Sequence, residues 1–379
     1  MARRRAFRIF RGLAIAVLAV TVPLGVVVSW DSACEPAPAV ADGAQRMKAI
    51  MHRCYGSPDV LEFEDIAKPV PADNEVLVRV QAAATNPLDW HYMRGTPYVM
   101  RFSSGIGRPQ NTQLGVDFAG TVEAVGRAVT RFKPGDEVFG GRTGAFAEYV
   151  VVREDRSIVA KPANITFEQA AAVPIAAVTA LQALRDDGRL QPGEKVLING
   201  ASGGVGTFAV QIAKTLGAEV TGVCSTRNVE LVRSLGADRV IDYTQEDFTQ
   251  GAEHYDLIVD MVGSHALLDY KRVLTEKGRY VIVGGPDGKW LGPLAGPLKA
   301  MFLSPFVHQE FGMMLAELNA KDLALLAGLM QEGKVVPVID RTYPLAEVPE
   351  AIRYLETSRA RGKVIISMAA SPAAARTSE

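Results

Sequence analysis

Cysteine and net charge are both scarce in this chain, and each shortage excludes a class of protein. Three cysteines, Cys34, Cys54 and Cys224, occur among 379 residues, and no two are spaced as a Cys-x-x-Cys pair. This spacing predicts neither a disulfide framework nor a zinc site built from cysteines. The 41 Lys and Arg residues nearly balance the 42 Asp and Glu residues, so no charge excess would attract a nucleic acid. A hydrophobic content of 48% with 35 glycines suits a soluble globular enzyme.

The first 45 residues depart from that composition. Five arginines, at positions 3, 4, 5, 8 and 11, precede an uncharged apolar stretch, Gly12–Trp30, and about 20 apolar residues can cross a bilayer as a helix. We therefore expect membrane contact through residues 12–30, either as an anchor whose C-terminal side faces outward or as a cleaved export signal of the twin-arginine kind. The alternative is a cytoplasmic enzyme whose translation starts at Met47. The Ala/Pro-rich residues 32–46 are predicted to form a linker.

Two different patterns of apolar residues follow the linker. Between Met47 and Pro162, segments such as NEVLVRVQAAATN and DFAGTVEAVG end at turn-forming residues, which is typical of the short strands of a compact barrel-like domain. Beyond Pro162, apolar strands alternate with helical segments, which is typical of a parallel sheet buried on both faces. A long helix is predicted over residues 166–186, with Thr166 as its N-cap. The chain is thus predicted to be an α/β protein.

The segment KVLINGASGGVG carries the most specific motif. Ala201-x-Gly203-x-x-Gly206 follows an apolar strand and opens a predicted helix, the context in which such a pattern indicates a dinucleotide-binding turn. The second glycine lets the backbone approach a pyrophosphate, the third lets helix and strand pack closely, and the helix N-terminus offers free N–H groups. The alternative is a tight strand-to-helix turn without a ligand. The predicted cofactor-binding residues of this loop are Gly200, Ala201, Ser202, Gly203, Gly204, Val205 and Gly206.

The residues after the next strand indicate which nicotinamide cofactor binds. An acidic residue about 20 positions beyond the glycines binds the ribose 2′-hydroxyl of NAD, but this chain reads CSTRN there, with Ser225 in place of the acid. No carboxylate repels a 2′-phosphate, and Ser225, Thr226 and Arg227 can donate hydrogen bonds to one. We therefore predict NADPH rather than NADH. The alternative is that Arg227 is a solvated residue at a helix start.

Several motifs together resemble the medium-chain dehydrogenase/reductase superfamily. They are MKAIMHRCYGSPDVLEFEDI, NPLDW, LGVDFAGTVEAVG, GDEVFG, AFAEYV, AAAVPIAAVTALQAL, NGASGGVG and ARGKVII. The similarity is greatest to the zinc-independent quinone oxidoreductase branch and extends over residues 47–367. It implies a GroES-like β-barrel catalytic domain interrupted by a Rossmann domain, with the cofactor in the cleft between them. The domain division is a leader and linker at 1–45, the first part of the catalytic domain at 46–165, the Rossmann domain at 166–319, the rest of the catalytic domain at 320–368 and a disordered tail at 369–379.

The resemblance also identifies where zinc ligands are replaced. Zinc enzymes of this superfamily place Cys, His and Cys where this chain has Asn86, Val116 and Ile175, and none of these three side chains is of a zinc-binding type. The four cysteines of the structural-zinc lobe are also replaced, since FGGRTG stands there. His91 is one imidazole, which is more often a surface or core residue than a ligand. We therefore predict no metal.

The reaction expected of such a chain is one that needs no Lewis acid. Alcohol oxidation develops an alkoxide that a metal would stabilise, whereas a quinone or an α,β-unsaturated carbonyl delocalises the charge that a hydride brings. We expect the chain to reduce such an acceptor with NADPH, as the resemblance also implies. The alternatives are an enoyl-thioester reductase, a general alcohol dehydrogenase-like enzyme, and a non-catalytic NADPH sensor or scaffold.

Candidate acceptor-side residues lie in the segment NPLDWHYMRGTPY. Asn86 occupies a former ligand position and can offer its amide to the acceptor, while Tyr92 and Tyr98 carry hydroxyls suited to proton donation. Asp89 is expected to be a structural hydrogen-bonding residue. The alternative for the three candidates is hydrogen bonding within the loop.

Further cofactor contacts are expected at the nicotinamide and at the 2′-phosphate. By resemblance, Thr179 contacts the nicotinamide and Tyr243 lines the 2′-phosphate site; a helix threonine bonding the preceding turn is the alternative for Thr179. Gly284 and Gly285 end a strand where cofactors bind at such sheets. The apolar segment 286–314 is either a lid or a dimer surface, and a homodimer is expected.

Overall fold

The chain folds into two large β-sheets, a two-stranded sheet and the helices that cover them. The structure is a computed structural model that describes residues 25–285, 288–290 and 308–369, together with Pro23 and Gly296. The strands are β1 (Arg46–His52), β2 (Leu61–Ala67), β3 (Glu75–Ala84), β4 (Asp117–Val125), β5 (Glu137–Gly141), β6 (Tyr149–Arg153), β7 (Ile158–Ala160), β8 (Lys195–Asn199), β9 (Glu219–Cys224), β10 (Arg239–Asp242), β11 (Tyr255–Asp260), β12 (Leu274–Ile282), β13 (Glu310–Met313), β14 (Ile339–Pro344) and β15 (Lys363–Ser367). The α-helices are α1 (Pro87–Arg94), α2 (Arg101–Ser104), α3 (Phe167–Ala171), α4 (Pro174–Gln182), α5 (Gly204–Thr215), α6 (Val229–Ser234), α7 (Leu267–Arg272), α8 (Ala320–Gln331) and α9 (Val348–Glu356).

The seven-stranded sheet is built around β3. Its hydrogen-bonded order is β14-β15-β3-β4-β5-β7, and β6 also pairs with β3. The first half of β3 pairs with β6, with Glu75 opposite Arg153, and the second half pairs with β15, with Ala84 opposite Ile365. Since β4 takes the other edge of β3, a strand from the end of the chain completes a sheet begun near its start. Within the described residues, this ladder does not close into a ring.

The six-stranded sheet is parallel throughout, with the order β10-β9-β8-β11-β12-β13. Numbered along the chain, this is 3-2-1-4-5-6, the order of a doubly wound sheet. It agrees with the parallel sheet predicted from the alternating strands and helices. The order reverses between β8 and β11, and ligands of such sheets bind beyond the carboxyl ends of the strands at this point. Gly200 and Met261 directly follow these two strands, so the loops after β8 and β11 lie at the expected binding edge.

The helix predicted over residues 166–186 is interrupted. Thr166 is its N-cap as predicted, since the Thr166 hydroxyl accepts a hydrogen bond from Gln169 N at 3.2 Å. However, α3 ends at Ala171 and α4 begins at Pro174. Proline has no N–H and its ring collides with the carbonyl four residues earlier, so a helix begins at a proline more readily than it continues through one.

The prediction of a membrane-associated or exported protein is corrected here. Among the residues that the structure describes, no helix is long and apolar enough to cross a membrane. Residues 25–35, called here the N-terminal strap, pack against the protein: Val28, near the end of the predicted span, is 3% exposed, and Ser32 N donates to Gly107 O at 2.8 Å. Apolar side chains buried against protein and against lipid look alike in a hydropathy pattern, which is why the prediction failed. Residues 1–22 lie outside the described residues.

A buried arginine holds the strap in place. Arg101 is 1% exposed, and its Nη1 donates to Val28 O and Trp30 O, both at 3.1 Å. Its Nη2 pairs with Asp31 Oδ1 at 2.8 Å, and its Nε donates to Gly95 O at 2.7 Å. One guanidinium therefore joins the strap to the end of α1.

The spacing of the cysteines predicted no disulfide framework, but the structure contains one disulfide that the spacing did not indicate. Cys34 of the strap is bonded to Cys54, which follows β1, and their Cα atoms are 4.6 Å apart. The two positions are separated by 20 residues, a spacing that identifies no known motif, and only the path of the strap brings them together. Cys224 is a free, buried thiol, and its burial raises its pKa to about 11.

Two predicted segments fall largely outside the described residues. Of the apolar segment 286–314, the structure describes residues 288–290, 296 and 308–314, and of the predicted disordered tail it describes Ala369. The lid, the dimer surface and the domain boundaries stay predictions.

Candidate functional site

The glycine-rich loop lies between β8 and α5 at the binding edge of the parallel sheet. Gly200 has a φ of +91°, a left-handed conformation that favours glycine, and Gly203 is the N-cap of α5 in an extended conformation. A Cβ at Gly206 would lie 2.1 Å from Gly200 O, so a side chain there would collide with the turn. A Cβ at Gly203 would instead meet its nearest neighbour, Gly200 O, at 3.4 Å. The loop thus has open space at Gly203 and the N–H groups of a twelve-residue helix beside it, which fits a pyrophosphate.

A buried carboxylate that sequence reasoning missed joins the two halves of the parallel sheet. Asp260 at the end of β11 is fully buried, and its Oδ1 accepts from Asn199 Nδ2 at 2.9 Å, across the switch point. The same oxygen accepts from Val262 N and Gly263 N at 2.9 and 3.0 Å, while Oδ2 accepts from Tyr280 OH at 2.6 Å. These bonds fix both loops that border the cofactor edge. Asn199 and Asp260 are polar residues at the ends of two apolar strands, and this position was the signal by which the sequence could have identified them.

Behind the predicted 2′-phosphate residues lies a second polar residue that the motif search missed. Asn228 is 5% exposed, and its Nδ2 donates to Ser202 Oγ at 2.9 Å and reaches Ser225 Oγ at 3.3 Å. Its Oδ1 is buried without a hydrogen-bonding partner among the described residues. Asn228 therefore joins the glycine loop to the end of β9, and its orphaned oxygen offers an acceptor to a ligand hydroxyl.

Arg227, the cation predicted to bind the 2′-phosphate, lies on the solvent-exposed side of Ser225 and Asn228. Arg227 is exposed, and its Nη2 donates to Arg359 O at 2.7 Å. Thr226 Oγ1 lies 2.9 Å from Thr244 Oγ1, and Tyr243, 55% exposed, lies on the strand-end segment beside them. The structure thus brings the predicted 2′-phosphate residues to one solvent-facing corner.

Of the predicted nicotinamide contacts, Gly284 lies at the same edge of the sheet. Gly284 follows β12, its N–H reaches Asp260 O at 3.2 Å, and a Cβ there would lie 2.5 Å from Met261 O. Gly285 follows directly and is half-buried. Thr179 is 7% exposed within α4. The geometry places Gly284 beside the switch point, where only a glycine fits.

On the acceptor side, α1 begins at the former ligand position. Asn86 is its N-cap, and Asp89 Oδ2 accepts from Asn86 N at 2.7 Å. Asp89 Oδ1 accepts from Gly115 N at 3.2 Å, which agrees with the structural role expected of this residue. Asp89 is buried, and that burial raises its pKa to about 7.

At the first former ligand position, Asn86 bonds a carboxylate and a lysine, and the three form the buried lysine network (Asn86, Asp117, Lys363). Lys363 Nζ donates to Asn86 Oδ1 at 2.5 Å and lies 3.3 Å from Asp117 Oδ2. Asp117 Oδ2 accepts from Asn86 Nδ2 at 2.9 Å, and Asp117 Oδ1 accepts from Ile175 N at 3.0 Å. Each network residue is at most 3% exposed. Burial raises the pKa of Asp117, and the ammonium opposes that rise.

Lys363 lies in the motif ARGKVII, but the sequence indicated no role for it, because its partners are more than 240 positions away. Val116, next to Asp117, is half-buried and presents an isopropyl group. Across the described ranges, no group of three or more His, Cys, Asp or Glu side chains could hold a metal ion. The site presents an amide beside a buried cation at the former metal position.

The two candidate tyrosines lie outside this network. Tyr92 on α1 is 39% exposed. Tyr98 packs edge-on against Trp290, with ring centroids 5.1 Å apart, and the Arg101 guanidinium lies 4.7 Å from the Tyr98 ring. The structure therefore does not bring Asn86, Tyr92 and Tyr98 into one hydrogen-bonded cluster.

Comparisons with known proteins match both parts of the chain. The alcohol dehydrogenase GroES-like domain family matches residues 72–163, and the zinc-binding dehydrogenase family matches residues 235–366. A 2-methylene-furan-3-one reductase of Solanum lycopersicum is 35% identical over 91% of this chain and 85% of its own length. A chloroplastic NADPH-dependent alkenal/one oxidoreductase of Arabidopsis thaliana is 34% identical over 90% of this chain and 86% of its own.

A solved structure gives the same result for the fold. The quinone oxidoreductase from Coxiella burnetii superposes with a TM-score of 0.75 at 31% identity, covering 86% of this chain and 100% of that one. These similarities confirm the predicted fold class, a GroES-like part combined with a doubly wound parallel sheet, and the family resemblance read from the motifs.

Proposed function

Because this chain belongs to the medium-chain dehydrogenase/reductase superfamily, in its zinc-independent quinone oxidoreductase-like branch, and is an NAD(P)H-dependent oxidoreductase, we propose that it uses NADPH to reduce a quinone or an α,β-unsaturated carbonyl. The observation that carries the proposal is the former metal position, where Asn86 stands in place of a zinc ligand and Lys363 is bonded to it. An amide and a cation can stabilise the modest charge on a delocalised acceptor oxygen. The names of the relatives, reductases of enones and quinones, support the same substrates.

The chain's own residues would hold the cofactor along the edge of the parallel sheet. The N–H groups at Gly204–Gly206 would face its pyrophosphate, Ser225 and Arg227 its 2′-phosphate, and Gly284 its nicotinamide. When bound, NADPH supplies the hydride, and the protein orients the two reactants. Thr179, Tyr243 and the remaining loop residues complete the proposed contacts.

For the acceptor, we propose that the Asn86 amide donates to the carbonyl oxygen and that Tyr92 or Tyr98 supplies the proton. The test is the steady oxidation of NADPH by the purified protein with 1,2-naphthoquinone, phenanthrenequinone and a simple enone. Oxidation with an enoyl thioester alone would favour the enoyl-thioester reductase. Tight NADPH binding with no oxidation by any acceptor would favour the sensor and end the proposed function.

The choice of NADPH over NADH depends on Arg227. Replacing Arg227 with Ala removes a charge-assisted bond to phosphate worth about 1.5–3 kcal/mol, so the Kd for NADPH should rise by about tenfold or more while that for NADH changes little. Fluorescence titration with both cofactors measures this. Arg233→Ala is the matched control, since Arg233 is an exposed arginine of α6 that pairs with Glu230. Equal NADPH affinity of the wild type and Arg227→Ala would remove the assignment.

We also propose a homodimer formed through β13. This strand is the last in the order of the parallel sheet, and among the described residues it pairs on one side only. Met313 at its end and Leu315 beyond it are 43% and 88% exposed. A strand edge with apolar neighbours is a site for pairing with a second copy. Light scattering on the eluted protein would give twice the chain mass; a monomer at all concentrations would refute the dimer.

A further inference from the structure

One dipeptide, Gly362–Lys363, touches both the glycine loop and the former metal position. Gly362 N donates to Ser202 O at 3.0 Å, and Gly362 pairs with Gly203 in a parallel bridge. Its φ is +91°, and a Cβ there would lie 2.3 Å from Val338 O, so only glycine fits. The backbone at this point is therefore attached to the loop that faces the cofactor's phosphates.

The side chain that follows spans the distance to the acceptor side. A Cβ built at Gly204 would lie 3.3 Å from Lys363 Cδ, so the lysine stem passes close to the start of α5. Its Nζ then donates to Thr85 O at 3.0 Å and to Asn86 Oδ1 at 2.5 Å. Lys363 is 3% exposed, so its ammonium is held by these partners and by Asp117 rather than by water.

The two charged neighbours decide which way the Asn86 amide faces. An ammonium has only donors and a carboxylate only acceptors, so Lys363 must take Oδ1 and Asp117 must take Nδ2. The amide nitrogen carries two hydrogens, and the bond to Asp117 uses one of them. Under the proposed function the second hydrogen would donate to the acceptor oxygen, whereas a flipped amide would present its own oxygen and repel that acceptor.

We infer that Lys363 is a positioning residue for hydride transfer: it fixes the Asn86 amide with an N–H toward the acceptor and ties that amide to the glycine loop through Gly362. This inference rests on the proposed function. Lys363 acts through Asn86, so removing the ammonium should lower kcat for the acceptor while leaving the cofactor's affinity nearly unchanged.

The test is a double-mutant cycle of Lys363→Met and Asn86→Ala. With 1,2-naphthoquinone, Lys363→Met should lower kcat by about tenfold in the wild-type background and by less than about twofold in Asn86→Ala, because the amide it positions is already gone. The Kd for NADPH should change by less than about threefold in each variant. Lys334→Met, at an exposed lysine paired with Glu332, is the matched control and should keep the wild-type kcat. Independent losses that multiply, or a wild-type kcat in Lys363→Met, would overturn the inference.

Loss of the ammonium leaves Asp117 as an unpaired buried charge, which threatens folding. If Lys363→Met does not fold, the cycle is run in Asp117→Asn, where no carboxylate remains to be neutralised, and the same tenfold and twofold outcomes apply. A readout without catalysis is the exchange rate of the Asn86 side-chain amide protons, assigned by their loss in Asn86→Ala; it should rise in the lysine variant. If the wild-type protein fails to oxidise NADPH with every acceptor tried, the proposed function is refuted. If the exchange rate of the Asn86 side-chain amide is the same in the lysine variant as in the wild type, the positioning role is refuted.

Discussion

At the scale of single residues, Gly203 and Gly206 of the glycine-rich loop are required for different reasons. Gly206 is required by the protein itself, because a Cβ there would lie 2.1 Å from Gly200 O. Gly203 meets nothing closer than 3.4 Å and has ordinary extended dihedral angles, so its lack of a side chain matters only to a ligand. The motif predicted both positions, but only the tertiary structure distinguishes the two reasons for a glycine.

This difference predicts opposite behaviour of two alanine variants. In cofactor-free protein, Gly206→Ala should lower the free energy of unfolding by about 1–3 kcal/mol through overpacking, and Gly203→Ala should change it by less than about 0.5 kcal/mol. Both variants should weaken NADPH binding. Urea unfolding of the two cofactor-free proteins measures the first effect and fluorescence titration the second. Equal losses of stability would contradict this account of the loop.

At the scale of elements, the N-terminal strap is attached to the rest of the protein by the Cys34–Cys54 bond and by Arg101. Arg101 also lies 4.2 Å from the Tyr55 ring and 4.7 Å from the Tyr98 ring. The strap therefore braces the segment after α1, which carries one of the candidate proton donors. The pattern of apolar residues could not predict this, because the partners of the arginine are backbone carbonyls and the Asp31 carboxylate.

Replacing Arg101 with Met should release the strap locally. The carbonyls of Val28 and Trp30 lose their donor, so exchange of the Ser32 amide, which now donates to Gly107 O, should accelerate by about tenfold or more. Amides shared by β3 and β4 should stay protected, which separates local release from global unfolding. Arg108→Met is the matched control, since Arg108 forms an exposed pair with Glu35 of the kind that contributes little. An unchanged Ser32 rate in Arg101→Met would show that the arginine does not hold the strap.

At the scale of the whole molecule, buried carboxyl groups tie stability to pH. Burial raises the pKa of Asp89 to about 7 from an ordinary value of 3.8, and the pKa of Asp117 shifts in the same direction. Between these values the folded protein holds a proton that the unfolded chain has released. The contribution of Asp89 to the free energy of unfolding therefore falls as pH rises from about 4 to about 7.

Asp89→Asn should flatten that dependence. The loss of unfolding free energy between about pH 4 and about pH 8 should be smaller in the variant than in the wild type, because one of the two raised groups is removed. Denaturant unfolding at both pH values measures the difference. Asp73→Asn, at an exposed position, is the control and should match the wild type. A variant whose stability falls with pH as steeply as that of the wild type would refute the role of Asp89.

The sequence alone determined the features that local chemistry encodes. The parallel sheet followed from alternating strands and helices, and the glycine loop from a spacing typical of a tight turn next to a phosphate. The former ligand positions Asn86, Val116 and Ile175 came from the family resemblance of the surrounding motifs. The tertiary structure decided what depends on distant partners. Lys363 meets Asn86 across more than 270 positions, Cys34 meets Cys54 only because the strap folds back, and Val28 is buried against protein rather than lipid. Such contacts arise when chain segments close over long loops, and no local pattern records them.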